Sequence, residues 1–259
     1  MKKFQLDLTV ADNRMVSLNS ALLTLQSDKG LPDMVAGQFA ELKVPSAKVL
    51  LRRPLSIHSV DRSQNRIEFL IQAVGEGTAA LAAMKRGGKL NVLLPLGNGF
   101  SYRSIPVERP LLIGGGVGVA PLLFLGQELA LNDIRPTFLL GGQTKSSILR
   151  KEEFMKYGNV FVTTEDGSEG ERGFVTDHTL LFDSILYDRV YACGPLAMLK
   201  AVAQWAREHE IVCEVSLENR MACGIGACLC CVEDTADKGN VCVCTEGPVF
   251  QTDRLKWFH

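Results

Sequence analysis

Net charge is almost absent from this chain. Its 28 Lys and Arg offset 29 Asp and Glu to leave −1 at neutral pH, so there is no electrostatic case for nucleic acid or an anionic membrane as the main partner. A long apolar run is missing as well. The longest uncharged stretch, Pro110 to Gln127, is broken by five glycines and two prolines. That argues against a membrane span and for a buried strand, turn and helix. Lys2 and Lys3 are not followed by the apolar core of a signal peptide, because Phe4 to Val10 alternates like a strand. Repeats and low-complexity tracts are lacking too. The expectation is a cytoplasmic protein in which paired structural disulfides have no place.

What is present is cysteine, and in one place. Six of the eight cysteines lie between Cys223 and Cys244. Cys223, Cys228 and Cys231 read C-x4-C-x2-C with a distant fourth cysteine, the plant-type spacing of a [2Fe–2S] cluster. Thiolates are soft ligands, and the intervening glycines let backbone N–H groups close on sulfur. A structural zinc site prefers two C-x2-4-C pairs, and Cys242-Val-Cys244 is too tight for the second. Strand alternation puts Cys242 and Cys244 on one face, so geometry leaves the fourth ligand open between them.

At 259 residues the chain suffices for two ordinary domains and a small one. Up to about Arg103 the pattern is strand-like: Phe4 to Val10, Ala40 to Val44 and Ile67 to Ala73 alternate. Turn residues at Asp12-Asn13, Asp28 to Gly30, Pro45-Ser46 and Asp61 to Asn65 separate them. This predicts a small antiparallel barrel, interrupted by one helix from about Thr78 to Lys85. From about Pro110, strands at Leu111 to Ile113, Thr137 to Leu140, Asn159 to Thr163 and Val190 to Cys193 alternate with helices. That predicts a doubly wound parallel sheet, with Pro195 in the first turn of a helix running to His209. The expected units are 1–103, 104–214 and a cysteine module, 215–259.

Gly116-Val-Gly118-Val-Ala-Pro121, preceded by Gly114 and Gly115, is a dinucleotide turn with proline in the third glycine position. Such a turn also serves as a plain strand-to-helix connection. Arg53-Pro54-Leu55-Ser56 offers a guanidinium for phosphate and a hydroxyl for a heterocycle, though an arginine before a strand is commonly just solvated. Gly77-Thr78 offers a second phosphate seat at a helix start. Cys193-Gly194-Pro195 ends a strand at the sheet edge where open α/β sheets bind ligands; a buried cysteine is otherwise a small hydrophobe.

In this order the four motifs resemble the ferredoxin–NADP reductase-like flavoproteins. With Glu218 to Cys228 and Cys244 to Phe250 added, the chain is similar to the electron transfer subunits of NAD-dependent (type B) dihydroorotate dehydrogenases. The resemblance implies an FAD-binding barrel, an NAD-binding α/β domain and a C-terminal [2Fe–2S] module. Arg53, Pro54, Leu55 and Ser56 would hold FAD, with Arg53 at its pyrophosphate and Ser56 at the isoalloxazine edge. Leu70, Ile71 and Gln72 would lie along it, and Gly77 and Thr78 would seat phosphate. Gly114, Gly115, Gly116, Gly118 and Pro121 would form the NAD turn, with Cys193, the residue assigned to catalysis, and Gly194 beside the nicotinamide. Cys223, Cys228, Cys231 and Cys244 would hold the metal. The implied partner is an FMN-containing catalytic subunit, two copies of each chain forming the complex. A reductase subunit of a hydrogenase or of a flavin-based NAD(P)H–ferredoxin complex would share these motifs. A zinc-stapled nucleotide-binding module is the reading of another class.

Overall fold

The computed structural model describes residues 2–46, 48–182 and 187–258. The first unit is one curled antiparallel sheet. Its strands are β1 (Phe4–Met15), β2 (Ser20–Gln26), β3 (Phe39–Leu42), β4 (Arg53–Ser56), β5 (Ser59–Asp61), β6 (Arg66–Gln72) and β7 (Lys89–Leu96), in the order β4-β3-β7-β1-β2-β6-β5. The sheet curls until β4 comes alongside β6 without pairing to it. Leu8, Val10, Leu23, Leu25, Ile67, Phe69, Leu90 and Val92 fill the interior. β2 carries no alternation because both its faces are buried, one by the core and one beneath α1 (Glu76–Ala82).

Asp12-Asn13 is not a turn. β1 continues to Met15, with an irregularity between Val10 and Asp12, and the Asn13 amide donates to the carbonyls of Leu81, Ala82 and Met84. A turn-forming residue is used here to satisfy the orphan carbonyls at the end of α1. That helix begins at Glu76, two residues earlier than the sequence predicts.

The second unit winds β8 (Pro110–Gly115), α2 (Ala120–Ala130), β9 (Thr137–Gly142), α3 (Lys151–Phe154), β10 (Asn159–Thr164) and β11 (Glu171–Arg172) outward in one direction. It then returns to β12 (Arg189–Cys193), α4 (Leu196–Glu208) and β13 (Val212–Ser216) on the other side of β8. The strand order reverses between β8 and β12, and the crevice above that point is where such sheets bind ligands. α4 starts at Leu196, with Pro195 just outside it as N-cap.

The remaining residues form a hairpin, β14 (Val232–Thr235) with β15 (Gly239–Cys242), then a single turn, α5 (Val243–Glu246), then β16 (Val249–Gln251). β16 pairs antiparallel with β13 and extends the parallel sheet. The module is also tied to the barrel: Asn98 N–H donates to Gly247 O, and its side chain to the carbonyls of Thr245 and Glu246. Phe39 and Leu96 of the barrel share one apolar cluster with Cys231, Val243, Cys244 and Phe250. The cysteine module is therefore wedged between the other two units.

Where the barrel exits, Ser101 donates both its N–H and its hydroxyl to the buried Glu214 carboxylate on β13. Removing that acceptor leaves both donors of the half-buried Ser101 without their partner, at about 1–3 kcal/mol. Glu214→Ala is expected to lower the unfolding free energy by that amount, and Glu214→Gln to recover about half of it, as read by fluorescence-detected urea unfolding.

Candidate functional site

Three seats follow from this layout. The first is the seam between β4 and β6. Pairing with β5 covers only Arg66 to Glu68 of β6, so the backbone of Leu70, Ile71 and Gln72 is free along one edge. The side chains of Leu70 and Ile71 are buried in the barrel core; only their main chain can meet a ligand. Across the seam, all four residues of β4 are half-buried, and Pro54 tolerates this edge because it has no N–H to satisfy. At the head of the seam the Arg53 guanidinium lies on Gly77: a Cβ there would sit 2.5 Å from Arg53 Nε. Two motifs 24 positions apart in sequence thus meet, a cation over the free N–H groups of a helix start, which is a seat for phosphate. Thr78 is engaged locally, its hydroxyl accepting from the N–H of Val74 and Gly75.

The second seat is the crevice above β8 and β12. Gly114 and Cys193 are register partners, and the glycines of the turn have different duties. A Cβ on Gly118 would lie 2.5 Å from Gly194 Cα and 2.7 Å from Cys193 O; on Gly115, 2.6 Å from Met198 Sδ. Those two glycines allow the turn to close on the Cys193-Gly194 segment. Gly116 has φ +56° and nothing within 4 Å of an added Cβ, so it faces open space, as backbone that approaches a pyrophosphate must. Pro121 is buried in the first turn of α2. Burial pushes the Cys193 thiol up to about 12, against a hydrogen bond with Ser216. It is a neutral wall of the crevice, not a nucleophile. The loops after β9 and β10 are joined by the Lys145 N–H donating to Ser168 Oγ.

The third seat is the cysteine module. Cys244 is not on a strand beside Cys242, as alternation suggests; it lies in α5 and is almost wholly buried, while Cys242 ends β15 half-exposed. Gly226 N–H reaches Cys244 Sγ at 3.2 Å, Cys244 N–H reaches Cys231 Sγ at 3.4 Å, and Ile225 N–H reaches Cys223 Sγ at 3.5 Å. The thiols group in pairs, Cys223 with Cys228 and Cys231 with Cys244, and Cys242 also reaches Cys231. Among the described residues no three His, Cys, Asp or Glu side chains are drawn onto one point tightly enough for a single ion. Soft thiols with backbone N–H groups turned to the sulfurs fit an iron–sulfur cluster. Burial opposes the Cys223 thiolate, but N–H groups of Ile225 and Cys228 outweigh it and lower its pKa to about 6. Cys231 and Cys244 face the protein; Cys228 and Cys230 face solvent.

Sequence reasoning missed three buried polar residues around these seats. Glu41 on β3 is fully buried, with neither carboxylate oxygen hydrogen-bonded. It lies under the cluster loop, where a Cβ on Gly224 would be 2.8 Å from its Cγ. Burial, opposed by Arg52, lifts it to about 7. His58, two residues after β4, is fully buried and donates from Nδ1 to Ala120 O at 2.8 Å. Glu128 on α2 accepts from Arg62, Arg103 and Tyr102, and these donors overcome burial to keep its pKa below the usual carboxylate value. The one signal available was a charged or polar residue inside an apolar stretch, as in Phe39-Ala-Glu41-Leu42.

Three family models match successive parts of the chain. Residues 7–102 match the oxidoreductase FAD-binding domain, 112–204 the oxidoreductase NAD-binding domain, and 218–256 the iron-sulfur cluster binding domain of dihydroorotate dehydrogenase B. The electron transfer subunit of dihydroorotate dehydrogenase B (NAD(+)) from Geobacillus kaustophilus is 41% identical over 255 residues, 96% of this chain and 97% of that one. Its counterpart from Fusobacterium nucleatum is 36% identical over 250 residues, 94% and 95% of the two chains. A solved structure of the NADH-dependent reduced ferredoxin-NADP oxidoreductase, a flavin-based bifurcating enzyme, superposes with a TM-score of 0.85 at 27% identity, over 96% of this chain and 90% of that one. Fold, motifs and whole-length identity agree, and the chain belongs to the family of electron transfer subunits of dihydroorotate dehydrogenase B.

Proposed function

We propose that this chain passes electrons from a partner catalytic subunit, which oxidises dihydroorotate to orotate in pyrimidine synthesis, through its cysteine module and FAD seam to NAD+. NAD exchanges a hydride and an iron–sulfur cluster single electrons, and FAD exchanges either, so FAD is the adaptor between them. The partner is taken to carry FMN and to assemble as two copies of each chain, in the cytoplasm; no described helix is long and apolar enough to cross a membrane.

The observation that carries this reading is the wedge. The cysteine module touches the barrel through Asn98 and Leu96 and the parallel sheet through β16, with one thiol pair buried toward both and Cys228 toward solvent. An electron path from outside to the seam needs that arrangement. Arg53 and the first turn of α1 at Gly77-Thr78 would take the FAD pyrophosphate, with Pro54, Leu55 and Ser56 along one side and the main chain of Leu70, Ile71 and Gln72 along the other. Gly114, Gly115, Gly116, Gly118 and Pro121 would shape the pyrophosphate turn of NAD, and Cys193 and Gly194 would wall the nicotinamide. Glu165 and Asp166, in the loop after β10, suit a free ribose hydroxyl. Cys223, Cys228, Cys231 and Cys244 would ligate the cluster. On this reading the three functional units are 1–103, 104–214 and 215–259. No acid–base group is required, since hydride transfer rests on stacking and orientation.

The bifurcating NADH–ferredoxin–NADP enzyme shares the fold closely, and a reductase subunit of such a complex is the second reading. The copurifying partner separates the two.

The purified chain should be brown-yellow, with flavin and iron–sulfur absorbance. Alone it should pass electrons from NADH to an artificial acceptor without oxidising dihydroorotate. A colourless zinc protein, or dihydroorotate oxidation by the isolated chain, overturns the assignment. Cys244→Ser is expected to abolish or alter the cluster absorbance while Cys242→Ser leaves it intact; the reverse pattern would exchange the ligands. Cys193→Ala should slow NADH turnover about three- to tenfold at full flavin content, as expected of a lost positioning contact. Loss of flavin instead would contradict its location.

A further inference from the structure

The two seats for hydride exchange are on different domains, and a hydride moves only when donor and acceptor carbons come within about 3–3.5 Å. Something must fix one domain against the other at that point. Residues 58–62, which follow the FAD strand β4, run against α2, the helix launched by the NAD turn. Three polar ties join them: His58 Nδ1 to Ala120 O at 2.8 Å, Gln127 Nε2 to Ser59 Oγ at 3.0 Å, and Arg62 Nη1 to Glu128 Oε1 at 2.9 Å.

The first tie is the one nearest the seats. His58 is two residues beyond Ser56, and Ala120 two residues beyond Gly118. A hydrogen-bonded path between the seats therefore runs along Ser56-Ile57-His58, across one bond, and back along Ala120-Val119-Gly118, beside the apolar packing of Leu70 and Ile71 with Val119. A carbonyl oxygen only accepts, so the imidazole carries a proton on Nδ1, and burial, which drives its pKa down to about 4, keeps the ring neutral. The ring is completely buried, and Nε2 has no partner. An apolar residue would fill this place without stranding a polar atom, and Nδ1 is the only ring atom with a bond to make.

Building on the assignment of FAD to β4 and NAD to the glycine turn, the geometry points to His58 as a positioning residue for hydride transfer: its Nδ1–H bond to Ala120 O sets the nicotinamide against the flavin. Displacing a reacting atom by about 1 Å costs on the order of 100-fold in rate, so a single lost tie at this point is large in effect.

Three variants test it. Asn offers an amide N–H close to the position of Nδ1, Gln offers one near Nε2, and Ala offers none. For each, flavin content, thermal midpoint, the charge-transfer absorbance formed with a non-reducing tetrahydro analogue of NADH, and the rate of flavin bleaching by NADH are measured. All three should keep full flavin. His58→Ala and His58→Gln should lose the charge-transfer absorbance and bleach about 10- to 100-fold more slowly, while His58→Asn stays within about threefold of the parent on the same scale. If His58→Ala does not fold, the Asn–Gln contrast carries the test. Parent-like bleaching in His58→Gln, or equal losses of rate and thermal midpoint in Asn and Gln, overturns the inference. A parent chain that holds flavin but is not bleached by NADH overturns the underlying assignment, and the inference with it.

Discussion

Glu128 holds the two large units at one angle. Its carboxylate is nearly buried at the face of α2 and takes hydrogen bonds from Arg62, Arg103 and Tyr102, with Asp33 beyond the two arginines. An isolated charge at that depth would cost several kcal/mol, so the carboxylate is tolerable only while all three donors are present. Arg62 comes from the barrel turn after β5, and Arg103 and Tyr102 come from the segment leaving the barrel, so the donors converge only when both units are folded and docked. This contact limits the overall angle between the units, and the finer approach of seam to crevice is left to the contacts nearer to them, such as His58 Nδ1 to Ala120 O.

The cysteine module uses a different device. It has too little apolar surface to be a domain of its own; among the described residues its strands are the two four-residue arms of a hairpin and one three-residue strand. It borrows order from its neighbours, adding β16 to the parallel sheet and burying Cys231, Val243, Cys244 and Phe250 with Phe39 and Leu96 of the barrel. The consequence for electron movement is directional. One thiol pair is locked to both cofactor-binding units and the other is left at the surface, where a second protein can approach.

Much of this was legible in the residues. Alternation in Phe4 to Val10 and Ile67 to Ala73, the glycine run from Gly114 and the C-x4-C-x2-C spacing are local signals, each set by a period or a turn that a few neighbours enforce. β2 was illegible because both its faces are buried, which erases alternation. Asn13 was misread because its amide serves a helix 68 residues away instead of a turn. Cys244 escaped strand geometry because α5 begins one residue after β15.

The sequence by itself determined which chemical groups are available and in what local shapes: a strand with a guanidinium, a glycine turn before a helix, six clustered thiols. Only the tertiary structure decided which of them meet. Arg53 lies on Gly77, Gly118 closes on Gly194, His58 bonds Ala120, and Glu41 lies beneath Gly224. Each of these contacts joins residues far apart in the chain, and none leaves a periodic trace. Close packing is responsible: a missing Cβ or a single carbonyl lone pair decides the approach, and the partner filling that space is chosen by the fold.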